Sequence, residues 1–190
     1  MGKPEQICKL EVVFQDPFHL KNLYKFIKFW LEDKKFITKS GPWTEKNMEV
    51  FYSEQDRGGV KEYHIWWKTG MKPTNSYFRY YLDINYLGLG VKNTEVIKDD
   101  KKYKLQIGEI TIKINSYLEV EANGSWDNHW FLKYFQKWFQ KKWYRVKIEQ
   151  HEDELYELTY KLQKAVKEYL ELRQYEGTPD LFYFPAKGME

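Results

Sequence analysis

From Phe78 to Tyr86, large apolar side chains fall on every second residue. Phe78, Tyr80, Leu82, Ile84 and Tyr86 alternate with Arg79, Tyr81, Asp83 and Asn85. A period of two puts the first set on one face of an extended strand and the second set on the other, so the segment is a half-buried β-strand rather than an amphipathic helix. The same alternation recurs on both sides of it. Tyr63, Ile65 and Trp67 precede it; Tyr103, Leu105 and Ile107, then Ile110, Ile112 and Ile114, follow it.

Turn chemistry separates these runs. Gly58-Gly59 marks a hairpin, Gly88 and Gly90 mark a bend or bulge before a strand over 91–98, and Asp99-Asp100-Lys101 marks a tight turn. With β-rich segments over 7–15 and 48–53, and a last strand extending to Val120, about six or seven strands are expected. They are sequential, so the sheet is mostly antiparallel.

Helical periodicity appears at three places. After Asp16-Pro17, an N-cap followed by a first-turn proline, Leu20, Leu23, Ile27, Trp30 and Leu31 share one face of a helix ending near Asp33. Near the other end, Leu155, Leu158, Leu162, Val166, Tyr169 and Leu172 form the face of a helix running from Glu152 to about Tyr175, with 147–150 as a bend before it. Glu152, Asp153 and Glu154 favour its positive N-terminal end. Glu157–Lys161 and Lys164–Glu168 are spaced as surface ion pairs. Gly177 and Pro179 terminate it. Residues 1–176 are therefore read as a single α+β domain, with 177–190 as a docked C-terminal tail.

The third place, the stretch 126–147, concentrates aromatics and positive charge. Leu132, Phe135, Phe139, Trp143 and Val146 share one helical face, and Phe131, Tyr134 and Trp138 lie beside it. Lys133, Lys137 and Lys141 step by four on another side, with Lys142 and Arg145 adding charge. Three roles are open: a core helix with snorkelling lysines, a nucleic-acid surface, or a basic, aromatic helix lying on a membrane.

Composition narrows the function classes. Hydrophobic residues are 42% and charged residues 31% of 190, which describes a globular chain with enough length for a core. Aromatics reach 19%, so rings are available to line a cavity as well as to fill the interior. A net charge of +3 is too small to imply nucleic acid by itself. The one cysteine, Cys8, excludes an internal disulfide and reads as a small core side chain. It also suggests a reducing, cytoplasmic compartment. No apolar run is long enough for a transmembrane segment. There is no Walker loop, HExxH or paired CxxC motif, and His19, His64, His129 and His151 are not at helical ligand spacing. Asp83, on a strand next to Arg79, is read as a member of an outward ion pair rather than as a catalytic group. No catalytic residue, metal ligand or cofactor is expected.

The order of one strand, a helix, a run of antiparallel strands and a long C-terminal helix resembles the helix-grip arrangement of START-like proteins. That resemblance implies a curved sheet gripping a helix around a ligand cavity. The chain departs from the pattern by having one N-terminal helix where two are usual, and by the additional basic aromatic stretch. The expected function is a non-enzymatic binding module for an apolar ligand or a protein partner, with Trp66, Tyr77, Tyr81, Trp138 and Trp143 lining its pocket or face. One alternative is an RNA- or ribonucleoprotein-associated factor using Lys133, Lys137, Lys141, Lys142 and Arg145 on phosphates. The other is a peripheral membrane protein using the same helix.

Overall fold

A computed structural model describes residues 4–72, 77–98, 101–120 and 145–176. Five strands and three helices occur in it: β1 (Glu5–Phe14), α1 (Leu20–Asp33), α2 (Glu45–Met48), β2 (Glu49–Arg57), β3 (Val60–Met71), β4 (Phe78–Lys98), β5 (Lys101–Val120) and α3 (Arg145–Glu176). The strands form one open antiparallel sheet in the order β1-β5-β4-β3-β2. The fold is α+β.

The alternation read in the sequence is the pleat of this sheet. Phe78, Tyr80, Leu82, Ile84 and Tyr86 of β4 are buried, as are Tyr63, Ile65 and Trp67 of β3 and Ile110, Ile112 and Ile114 of β5. Facing partners such as Trp67↔Ile84↔Ile114↔Leu10 carry the apolar row across the sheet. Leu23, Ile27, Trp30 and Leu31 of α1 and Leu155, Leu162 and Val166 of α3 complete the same core. The two helices meet where Phe26 stacks on Tyr169 with ring centroids 4.6 Å apart. Burying each such Leu, Ile or Phe side chain contributes roughly 1.5–3 kcal/mol. Cys8 is buried on the core side of β1.

The described residues hold five strands where six or seven were expected. The runs on either side of Gly88 and Gly90 belong to one strand, β4, and those on either side of Gly108 belong to β5. The glycines do mark a bulge: the β4–β5 register slips between Leu89 and Lys92, and Gly90 takes φ 64°. A Cβ on Gly108 would lie 2.8 Å from Val91 Cα, so only glycine allows the strands this close. The bulge breaks the alternation without ending the pairing, which resumes at Lys92↔Ile107.

Two helix boundaries also differ from expectation. The first helix starts at Leu20 rather than after Asp16-Pro17, with His19 Nδ1 capping Asn22 N–H at 3.3 Å. Phe18 and Gln106 exchange two backbone hydrogen bonds of 2.8 Å, which hold Phe18 extended and delay the helix. The last helix is continuous from Arg145, with no bend at 147–150. Its Lys161–Glu157 and Lys164–Glu168 pairs form at 3.0 and 3.7 Å. The stretch 121–144 and the tail 177–190 lie outside the described residues. No helix among the described residues is long and apolar enough to cross a membrane.

Candidate functional site

Pairing of β3 with β4 ends at Lys61↔Val91, and pairing of β1 with β5 ends at Phe14↔Ile110. Residues 92–98 and 101–107 therefore project beyond the sheet as a two-stranded ribbon. The Phe18–Gln106 bridge ties the ribbon to the start of α1, and the Gln106 side-chain oxygen accepts Leu20 N–H at 3.0 Å. Between the ribbon, the first turn of α1 and the β2–β3 hairpin lies an open cleft of about 730 Å³.

Three tyrosines line the cleft: Tyr24 from α1, Tyr52 from β2 and Tyr63 from β3. Leu20, Ile65 and Leu105 add apolar surface, and Asn93, Thr94 and Gln106 add amide and hydroxyl groups. The charged residues of the lining are Lys21, Lys104, Glu54 and Glu95.

Glu54 is held by three donors. It accepts from Lys61 Nζ at 2.6 Å, Tyr52 Oη at 3.0 Å and Tyr63 Oη at 3.4 Å. The Lys61 hydrogen bond is the main reason its carboxyl stays below the usual carboxylate range. Burial and the bond to Glu54 push the Tyr52 phenol up to about 12. Tyr63 is raised by burial and by the Glu54 charge. Behind Tyr24, Glu49 accepts the Tyr24 hydroxyl at 2.9 Å and Trp67 Nε1–H at 3.3 Å. Burial first and Glu49 second raise the Tyr24 phenol well above its ordinary value. The tyrosines thus stay neutral near pH 7. They present rings and oriented hydroxyls, with Glu54 as a fixed acceptor.

None of the described residues among the sequence-predicted site residues lines this cleft. Trp66 is on the opposite face of the sheet, 47% exposed, against Phe51 with centroids 4.6 Å apart. Tyr77 precedes β4 and meets Phe78 edge to face at 5.4 Å. Tyr81 donates to Glu119 at 2.6 Å and meets Trp43 at 5.9 Å. Facing pairs Trp66↔Asn85 and Gly70↔Tyr81 place Trp66 and Tyr81 four residues apart along the strands, roughly 14 Å, so they form no common pocket. Trp138, Trp143, Lys133, Lys137, Lys141 and Lys142 lie outside the described residues. Arg145 is exposed and paired with Glu149 at 2.8 Å. Arg79 approaches Glu119 at 3.5 Å and lies over the Trp43 ring at 5.4 Å. Half-buried Asp83 has its carboxyl raised by desolvation, partly offset by Lys68.

The cleft residues were missed because they are brought together by tertiary contacts. Tyr24 sits on the flank of the α1 apolar stripe, and Tyr52 and Glu54 sit on an edge strand. The one local signal was the Gly88/Gly90 pair, which launches the ribbon wall. Among the described residues no group of three or more His, Cys, Asp or Glu side chains is placed to hold a metal ion.

No protein-family model matches the chain, and no curated protein matches it. One solved structure, an uncharacterized protein from Rhizobium leguminosarum, aligns over 90% of this chain and 99% of that one at 7% identity, with a TM-score of 0.21. At that score the likeness carries no argument about fold or function.

Proposed function

We propose that the protein is a non-enzymatic binding module that holds a small amphipathic molecule in the cleft between α1, the β2–β3 hairpin and the ribbon. The observation that carries this reading is a cleft of about 730 Å³ walled by Tyr24, Tyr52 and Tyr63 around the Glu54 carboxylate. Its volume lies within the roughly 300–1,000 Å³ of small-molecule sites. The apolar ligand expected from the sequence is refined by the wall chemistry. Tyrosine rings and Leu20, Ile65 and Leu105 favour a flat apolar face, while Glu54, Asn93, Thr94 and Gln106 favour a ligand edge rich in donors and acceptors. The order of strand, helix, further strands and long terminal helix supports the helix-grip arrangement as the architecture of this module.

The test is a thermal-shift screen of small ring compounds bearing hydroxyl or amine groups, alongside fatty acids. Ligands that raise the melting temperature by mass action are then tested against Thr94→Trp, which fills the cleft from its rim, and Tyr52→Ala. Hits abolished by Thr94→Trp and weakened by Tyr52→Ala support the cleft as the site. Hits unaffected by either variant place binding elsewhere and sink the proposal.

A further inference from the structure

The two edges of the sheet are built differently. At the β1 edge, Lys9 and Glu11 are charged and exposed, and α3 packs alongside, with Gln163 Nε2 donating to Glu11 O at 3.2 Å. Such features keep an edge from pairing with another chain. At the other edge β2 pairs only with β3 among the described residues. There Val50, Phe51 and Tyr52 are 56%, 41% and 51% exposed, and Phe51 continues into the exposed Trp66 ring. Three consecutive exposed apolar residues at an edge are a template for strand addition, and the exposed charges of Glu54, Asp56 and Arg57 that follow them restrict the registers an added strand can take.

We propose that a second copy of this chain docks here, β2 against β2, antiparallel about a two-fold axis through Ser53. Facing residues of an antiparallel pair point to the same side of the sheet, so a symmetric pairing must turn about a residue and not between residues. Charge selects which one. An axis at Glu54 or Asp56 sets that carboxylate against itself, and an axis at Gln55 sets Glu54 against the partner copy's Asp56; like charges directly opposed are destabilising. Beyond the bulge at Val50, an axis at Ser53 pairs Phe51 to Gln55, the longest regular stretch of β2 that opposes no like charges. Tyr52 then faces Glu54 of the other copy, so the hydroxyl proton it gives to its own Glu54 at 3.0 Å can be exchanged for the same bond across the axis. Phe51 faces Gln55 on the outer face of the sheet. Tyr52 and Glu54 belong also to the cleft wall, so pairing sets the two clefts side by side. One strand and two aromatic rings per copy make a small interface, and the association falls in the micromolar range.

The test is sedimentation velocity on the full chain from roughly 1 to 500 μM, with three variants. The wild type is expected to pass from monomer to dimer. Phe51→Lys, at an exposed position outside the cleft, is expected to weaken association at least tenfold with an unchanged melting temperature. In an oxidising glutathione buffer, Ser53→Cys is expected to give a covalent dimer. Gln55→Cys is not, because its two copies lie about 14 Å apart in this register. Cys8 is buried and stays out of the reaction. A wild type that is monomeric throughout, even one that captures an extended peptide from another protein, overturns the proposal. So does a dimer indifferent to Phe51→Lys, or one cross-linking equally through either cysteine. No ligand enters these measurements, so their failure leaves the cleft reading intact, and the reverse holds too.

Discussion

Tyr24 and Trp67 meet edge to face with ring centroids 4.5 Å apart, and both donate to the same oxygen of Glu49, at 2.9 Å from the phenol and 3.3 Å from the indole. Tyr86 closes the group, its ring 5.0 Å from Trp67 and 6.4 Å from Tyr24. A carboxylate at the end of a fully buried indole is tolerated because both ring donors need an acceptor. Removing it strands them. Glu49→Leu is expected to lose roughly 2–4 kcal/mol, since each unsatisfied donor costs about 1–3 kcal/mol. Glu49→Gln keeps an acceptor oxygen and is expected to lose less than half as much. Urea unfolding of both variants checks this; equal losses would mean that the negative charge of the side chain, not an acceptor oxygen as such, sets its value.

Tyrosines of the cleft and of the core make stability fall at high pH. Tyr24, Tyr80 and Tyr86 are raised well above the ordinary phenol value of 10.0, chiefly by burial, and Tyr52 reaches about 12. A phenol whose pKa is raised in the folded state binds its proton more tightly there than in the unfolded chain. Its contribution is fully present below about pH 10 and is lost as pH climbs from there through the folded values. Lys61, raised by its bond to Glu54, acts in the same direction. The urea midpoint is expected to hold steady between about pH 8 and 9.5 and to fall above pH 10, with part of the phenolate absorbance appearing only on unfolding. A midpoint that is flat or rising above pH 10 would contradict this assignment.

Gly70 is a site where a single methyl group is excluded by an aromatic ring. A Cβ there would lie 2.5 Å from Trp43 Cε2. The backbone at Gly70 also donates to Phe36 O at 3.3 Å, which leaves little freedom to retreat. Trp43 would have to leave its place between Tyr81 and Arg79. Gly70→Ala is expected to cost about 1–3 kcal/mol, and the cost should nearly vanish in a Trp43→Ala background. Additive losses would show that the strain lies in the backbone of β3 and not in the ring.

These residues also show what a single sequence can reveal. The inward positions of β3, β4 and β5 were legible because a pleat has period two, and the faces of α1 and α3 because a helix has period 3.6. Gly88 and Gly90 announced an irregularity. Whether it ended the strand or bulged it depended on the facing residues 107–110, which no local pattern reports. The start of α1 was misplaced for the same reason: Asp16-Pro17 is a sound local signal, but Phe18 is held extended by Gln106, 88 positions later. The cleft was illegible because its walls come from five segments. An aromatic count flagged that rings were abundant, yet Trp66 and Tyr81 point to the face away from it.

The junction between α3 and the sheet turns on Tyr80. Its hydroxyl donates to Glu154 at 2.7 Å and is hydrogen-bonded to His151 Nδ1, while the His151 ring lies over Phe78 with centroids 4.0 Å apart. The phenol has one proton. With that proton on Glu154, His151 must carry its own on Nδ1 and donate it to the phenol oxygen. This is the less common tautomer of a free imidazole, and it is set here by the partner. Tyr80→Phe removes both bonds and is expected to cost roughly 1–3 kcal/mol, measured by urea unfolding. Nitrogen-15 NMR above about pH 8, where imidazoles are neutral, is expected to show the Nδ1–H form in the wild type and the Nε2–H form in Tyr80→Phe. A wild-type Nε2–H tautomer would reverse the donor order, with the phenol giving its proton to His151 and Glu154 left as a solvent-facing neighbour.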